Sequence, residues 1–351
     1  MIHDWTKDYQ QALKTPEAFK TFFDDLFSEL ELTERASVLE QYSFALPLKI
    51  AQKIRTLGPN SALAKQYLPV IDETVNQAGL YDPIGDKNHA QGGQLIHRYQ
   101  SRALFTPTTV CPVMCRYCFR KNELNTKDEI FDANFNQTLT YLKEHPEIEE
   151  IIFTGGDPLI LSNQKIQSYL EAFSSIKSIK YIRFHTRFVT TIPSRIDAGL
   201  MEILTWASSQ FVSVIIAVHV NHCEEFDEEI EAAFLKLKSL PIQLLSQTVL
   251  LKGVNDNVEE LTDLFKKIIS LGCRPYYLHH PDEVKGGMHF YLSLEDGRRL
   301  FAKLRNKLPG WAIPHYIIDI PGGHGKVSAF NPESYDFSRQ LIDLDGALIQ
   351  T

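Results

Sequence analysis

Basic side chains are in the minority: 36 Lys and Arg stand against 44 Asp and Glu, a formal net charge of −8. That balance gives no electrostatic reason to expect nucleic acid or an anionic membrane as partner, and leaves a small-molecule substrate or a protein. Long apolar runs are also lacking, because the most apolar stretch, Phe211 to Val220, is too short to span a bilayer. The opening residues Met1-Ile2-His3-Asp4-Trp5 lack the basic and apolar regions of a secretory signal, so a cytoplasmic location is expected. Cysteine is scarce, five in 351 residues, and the number is odd. A disulfide framework is therefore not expected. There is no internal repeat and no low-complexity tract.

What is present is enough apolar side chain, 44 % of residues, to bury one large α/β domain with extra elements. From Trp5 to about Leu68 the pattern predicts short amphipathic helices, with Phe19, Phe22, Phe23, Leu26 and Leu30 at helical spacing and a helix start at Thr33-Glu34-Arg35. Tyr81 to Gln94, rich in Asp, Pro and Gly, reads as an irregular connection. Strands are then expected at Ala103–Phe105, Glu150–Thr154, Lys180–His185, Val212–Val218, Ile242–Leu251 and Pro275–Leu278. Helical periodicity fills the intervals, at Asn163–Phe173, Ile196–Ala207, Glu224–Leu240 and Val258–Leu271. Strands each followed by a helix pair in parallel through right-handed crossovers, so an open, partial (β/α)6 barrel is predicted, its chemistry at the C-terminal strand ends. The expected division is a helical region and connection over 1–95, a barrel core over 96–310 and a C-terminal segment over 311–351.

Three of the five cysteines lie within eight residues, as Cys111-Pro-Val-Met-Cys115-Arg-Tyr-Cys118, directly after the first expected barrel strand. Three thiolates on one loop can hold a [4Fe-4S] cluster and leave its fourth iron open to another molecule. The alternatives are a closed zinc site, for which no fourth ligand stands at a usual spacing, or three ordinary core cysteines. Cys223 and Cys273 are isolated and read as buried thiols. Thr154-Gly155-Gly156-Asp157-Pro158 follows the second barrel strand, and Asp319-Ile-Pro-Gly-Gly-His-Gly-Lys326 stands near the end. The latter lacks the spacing of a phosphate-binding P-loop.

The Cys-x3-Cys-x2-Cys set, with Tyr117 before its last cysteine, closely resembles the radical S-adenosylmethionine (SAM) superfamily. By that resemblance the open iron takes SAM, which yields a 5′-deoxyadenosyl radical, and Gly155, Gly156 and Asp157 lie beside the SAM methionine. The Pro-Gly-Gly-His-Gly-Lys segment is similar to that of the lysine 2,3-aminomutase family, as are His97-Arg98-Tyr99, Cys-Phe-Arg, Gly-Val-Asn-Asp and Arg274-Pro-Tyr-Tyr277; the likeness runs from about Asp82 to Lys326. It implies an isomerase in which Lys326 forms a Schiff base with pyridoxal 5′-phosphate (PLP). Arg98 and Arg102 match the arginines near the PLP phosphate, and Arg120 the one that holds the substrate carboxylate. Asp282 and Asp319 match the two acids that receive the distal ammonium of L-lysine. A flavodoxin or ferredoxin as electron donor, and possible assembly as a homo-oligomer, come with the resemblance.

Two departures matter. The sequence ends 25 residues after Lys326, and Asn257 stands where longer relatives carry a zinc-binding cysteine, which puts their zinc site in doubt here. The short length, Cys118-Phe119-Arg120 and Tyr277-Leu278-His279 also resemble related enzymes that make β-lysine for elongation factor P, whereas Asp319 does not fit that pattern. Ornithine, arginine and glutamate remain alternative substrates.

Overall fold

The computed structural model describes residues 4–124, 134–330, 341–342 and 348–349. Nine strands follow the chain in spatial order: β1 (Leu95–Tyr99), β2 (Arg102–Thr108), β3 (Glu150–Gly155), β4 (Tyr181–Thr186), β5 (Ser213–His219), β6 (Gln243–Val249), β7 (Arg274–His279), β8 (His315–Ile320) and β9 (Gly325–Ser328). β2 through β8 run parallel, while β1 and β9 pair antiparallel on the two edges. Helices pack outside this sheet around a core that includes Phe105, Phe153, Phe173 and Phe184. The six expected strands correspond to β2 through β7. To them the structure adds β8, a seventh parallel strand whose buried residues Tyr316, Ile317 and Asp319 flank the hairpin to Lys326.

Side chains bring the two edges together. The Tyr99 hydroxyl on β1 accepts the backbone N–H of Lys326 on β9 at 2.8 Å, and Arg98 reaches Asp319 on β8 at 3.5 Å. The sheet is thus a nearly closed, partial barrel. Among the described residues no helix is long and apolar enough to cross a membrane.

The N-terminal helices form a second apolar cluster around Phe19, Phe23, Leu46, Ile54 and Tyr67, and this cluster takes in Val113 and Cys115 of the cysteine loop. One expectation about these helices is corrected. The helix begins at Glu29, because Ser28 and Glu31 form a reciprocal capping box, so Thr33 lies inside it and Leu30 is 70 % exposed.

A buried ion cluster joins this layer to the barrel. Glu73 accepts from Arg116 Nε at 2.9 and 3.0 Å and from Lys121 Nζ at 2.7 Å. Lys121 also donates to the Gly286 carbonyl at 2.7 Å, and Arg116 to that of Ser43 at 3.1 Å. Burial opposes ionisation of Glu73, but the two cations outweigh it and hold the carboxyl below its ordinary range. Burial likewise pushes Lys121 down to about 8 despite Glu73. Removing one partner of such a set leaves buried charge uncompensated. Glu73→Ala is therefore expected to lose about 3–5 kcal/mol of stability, read by denaturant unfolding; unchanged stability would show that the cluster does not clamp the layers.

Candidate active site

The C-terminal strand ends and the cysteine loop enclose a cavity of ≈ 1070 Å³. Cys111, Cys115 and Cys118 line one side, and Asp282, Asp319 and Lys326 the other. An adjoining chamber of ≈ 800 Å³ shares Lys326, His279 and Gln247 and is walled by Arg98, Arg102, Arg120 and Arg183.

The cysteine loop owes its course to backbone pairing on two sides. Met114 N–H donates to Ala45 and Arg116 N–H to Gln66, each at 2.9 Å, which fastens the loop to the helical layer. On the barrel side Gly156 N–H donates to Thr108 at 2.7 Å and Asp157 N–H to Val110 at 2.9 Å. A side chain at Gly156 would put its Cβ 2.4 Å from the Val110 carbonyl oxygen. Only glycine permits that approach. Burial pushes all three thiols upward, Cys118 to about 12, and Cys111 and Cys118 each feel a neighbouring thiol of the set. Among the described residues no three His, Cys, Asp or Glu converge on a single metal ion. Three thiols of one loop lining one cavity suit a polynuclear cluster, whose iron would supply the positive charge that buried thiolates need.

Asp157, expected beside SAM, turns its carboxylate into the protein. It accepts Leu159 N–H at 3.0 Å, the Thr186 hydroxyl at 2.9 and 3.0 Å and Arg187 N–H at 2.5 Å. Burial still pushes it up to about 6. The motif therefore ties β3 to β4 and to the cysteine loop.

Lys326 and Asp319 face each other across the β8–β9 pair, and their side chains form an ion pair. Asp319 also meets Arg98. Burial first, and then the Asp319 charge, push Asp282 up to about 7, against the opposing Lys326. Arg120 is 2 % exposed and pairs with Asp86 and, at 3.1 Å, with Glu123. Asp86 takes Arg98 on its other oxygen at 2.6 Å, while Arg102 lies over the Tyr99 ring at 3.8 Å. Despite this pairing, the buried Nε atoms of Arg98, Arg120 and Arg183 have no hydrogen-bond partner among the described residues. Unused guanidinium donors around a lysine amine fit a ligand that carries phosphate and carboxylate groups, as PLP with an amino acid does.

Several residues here escaped the sequence reading. Asp86 lay in the segment treated as a connection, and only the fold brings it between Arg98 and Arg120. His185, His219, Gln247 and His279 end or nearly end β4, β5, β6 and β7 and line the cavity. A polar residue closing an apolar strand was the available signal. Burial pushes His185 and His219 well below the usual range and His279 to about 3, so the three imidazoles are neutral. Gly156→Ala is expected to reduce iron incorporation on anaerobic reconstitution to less than about half, since one extra carbon collides with the loop's entry; a full iron complement would show that the contact is slack.

Residues 105–265 match the Radical SAM superfamily. The chain is 32 % identical over 326 residues to an L-lysine 2,3-aminomutase of Buchnera aphidicola subsp. Baizongia pistaciae, covering 92 % of this chain and 94 % of that one. It is 31 % identical over 324 residues to an L-lysine 2,3-aminomutase of Escherichia coli, covering 92 % and 93 %. With likeness of this extent joined to three cysteines, two acids and a lysine around one cavity, the chain belongs to the lysine 2,3-aminomutase family of the radical SAM superfamily.

Proposed function

We propose that this protein is an L-lysine 2,3-aminomutase, an isomerase that moves the amino group of L-lysine from C2 to C3. The observation that carries this reading is the placement of Asp282 and Asp319 in one cavity with Lys326 and the three cysteines. In the proposed assignment Cys111, Cys115 and Cys118 hold a [4Fe-4S] cluster, and Gly155, Gly156 and Asp157 shape the SAM side. Arg98 and Arg102 receive the phosphate of PLP, which Lys326 carries. A flavodoxin or ferredoxin would supply the electron, and a homo-oligomer is compatible with the family. When bound, the cluster with SAM supplies a radical able to take hydrogen from C3, and PLP supplies the group that carries the migrating nitrogen.

The protein's own residues bind, orient and exclude water. Arg120 fits the substrate carboxylate through its buried Nε, the donor left over while Asp86 and Glu123 hold its terminal nitrogens. Asp282 and Asp319 fit the distal ammonium, since a cation between two buried carboxylates relieves their repulsion. At an effective dielectric near 20 each such contact at about 4 Å is worth on the order of 4 kcal/mol before desolvation. The neutral histidines of the barrel mouth add no positive charge to compete with that ammonium. Enclosure by the strand ends and the cysteine loop keeps water from a radical.

Two experiments test the reading. Borohydride reduction of PLP-loaded protein, followed by peptide mapping, should place the pyridoxyl group on Lys326; a label on another lysine would relocate the cofactor. The second uses pH. Because Asp282 is held at about 7 in the free protein, it carries a proton below that pH, and a cationic substrate must displace it. Lysine affinity should therefore fall as pH drops below 7, by up to about tenfold per unit, and Asp282→Asn should flatten that slope while raising the lysine KM roughly tenfold or more. Unchanged lysine kinetics in an Asp282→Asn/Asp319→Asn double variant, or a wild-type preference for glutamate, would sink the lysine assignment.

A further inference from the structure

Arg187 follows directly on β4 and lines the cavity together with the three cysteines. Its side chain is only 7 % exposed. Both terminal nitrogens are engaged by the protein. Nη1 donates to the His219 carbonyl at 2.6 Å and stands 3.0 Å from Glu225 Oε2; Nη2 donates to Gln66 Oε1 at 3.0 Å and to the Tyr67 hydroxyl. The backbone is fixed as well, by the Arg187 N–H on Asp157. Nε, by contrast, is buried and has no partner among those groups. Such a donor needs an explanation. Gln66 brings the guanidinium to the cysteine loop, since its side chain takes Arg187 Nη2 while its carbonyl takes the N–H of Arg116, next to Cys115.

We infer that Arg187 is a positioning residue for the iron–sulfur cluster, its charge and its remaining donor acting on the Cys115 thiolate so as to raise the cluster's reduction potential. This rests on the proposed cluster assignment of Cys111, Cys115 and Cys118. One-electron reduction adds a negative charge to a cluster that already has three thiolates. A cation and a hydrogen bond at a ligand sulfur therefore stabilise the reduced form more than the oxidised one. Glu225 works in the opposite sense. Its Oε1 accepts the N–H groups of Asn221 and His222 at 2.8 and 3.1 Å, which locks the carboxylate in place, and its Oε2 offsets part of the guanidinium charge. The two members of this ion pair should shift the potential in opposite directions, a signature that a merely structural pair would not give.

The test uses full-length protein reconstituted anaerobically with iron and sulfide, without SAM, PLP or lysine, and titrated with dithionite and mediators under EPR detection. Arg187→Met is expected to lower the reduced-to-oxidised ratio at fixed potential about tenfold, which is about 59 mV for one electron. Arg187→Lys should give a smaller drop, because it keeps the charge and loses the fork. Glu225→Gln should move the midpoint upward. Midpoints equal to wild type in Arg187→Lys and Glu225→Gln, or shifts of the same sign in both, overturn the inference, and these two variants decide the matter if Arg187→Met does not retain iron. Failure of the wild-type chain to assemble a four-iron cluster would overturn the cluster assignment instead.

Discussion

Charge withdrawn from water has to be met by opposite charge, and that requirement organises this molecule from the helical layer to the barrel mouth. Glu73 stands between Arg116 and Lys121, Asp86 between Arg98 and Arg120, Asp319 between Arg98 and Lys326, and Glu225 against Arg187. Each acid joins segments that are distant in sequence. The last three acids fix Arg98, Arg120, Lys326 and Arg187 in the cavity walls, where a free side chain would turn toward solvent. Asp282 shows the same rule by exception, because burial and the neighbouring Asp319 charge push it toward the neutral form.

The cysteine loop depends on this arrangement more than on regular structure. Arg116 and Lys121 within or beside the motif turn away from the cavity and into the Glu73 pocket, while Cys111, Cys115 and Cys118 turn toward it. The loop is held by the helical layer on one face and by Gly156 and Asp157, just after β3, on the other. The Gly-Gly-Asp segment gains a meaning from this. Its glycine permits close approach of two backbones, and its acid ties the end of β3 to the end of β4 at Thr186 and Arg187.

Much of the barrel was legible because its signal is local. Buried parallel strands are short apolar runs, and the helices between them keep a 3.6-residue period, so β2 to β7 stand near the predicted positions. The helix entering at Glu29 shows the limit of periodicity. A capping box opening at Ser28, five residues before Thr33, set the start, and the apolar Leu30 fell on the exposed side. β8 was missed because a lone strand without a following helix does not announce itself as part of the barrel.

The sequence alone determined which residues could do chemistry: three thiols at fixed spacing, a lysine after a glycine-rich turn, and acids and arginines of the right type. Spacing along a loop is a local property, and the thiols stay together in any fold that keeps the loop. Tertiary structure decided the rest. Asp86 became the bridge between two arginines, and Asp157 turned inward to the backbone of Leu159 and Arg187 and the Thr186 hydroxyl. Arg187 reached the cysteine loop through Gln66, and four strand-end polar residues came to line one cavity. These relations join residues tens to hundreds of positions apart, and they exist only because closing a twisted sheet brings its successive strand ends to a common mouth.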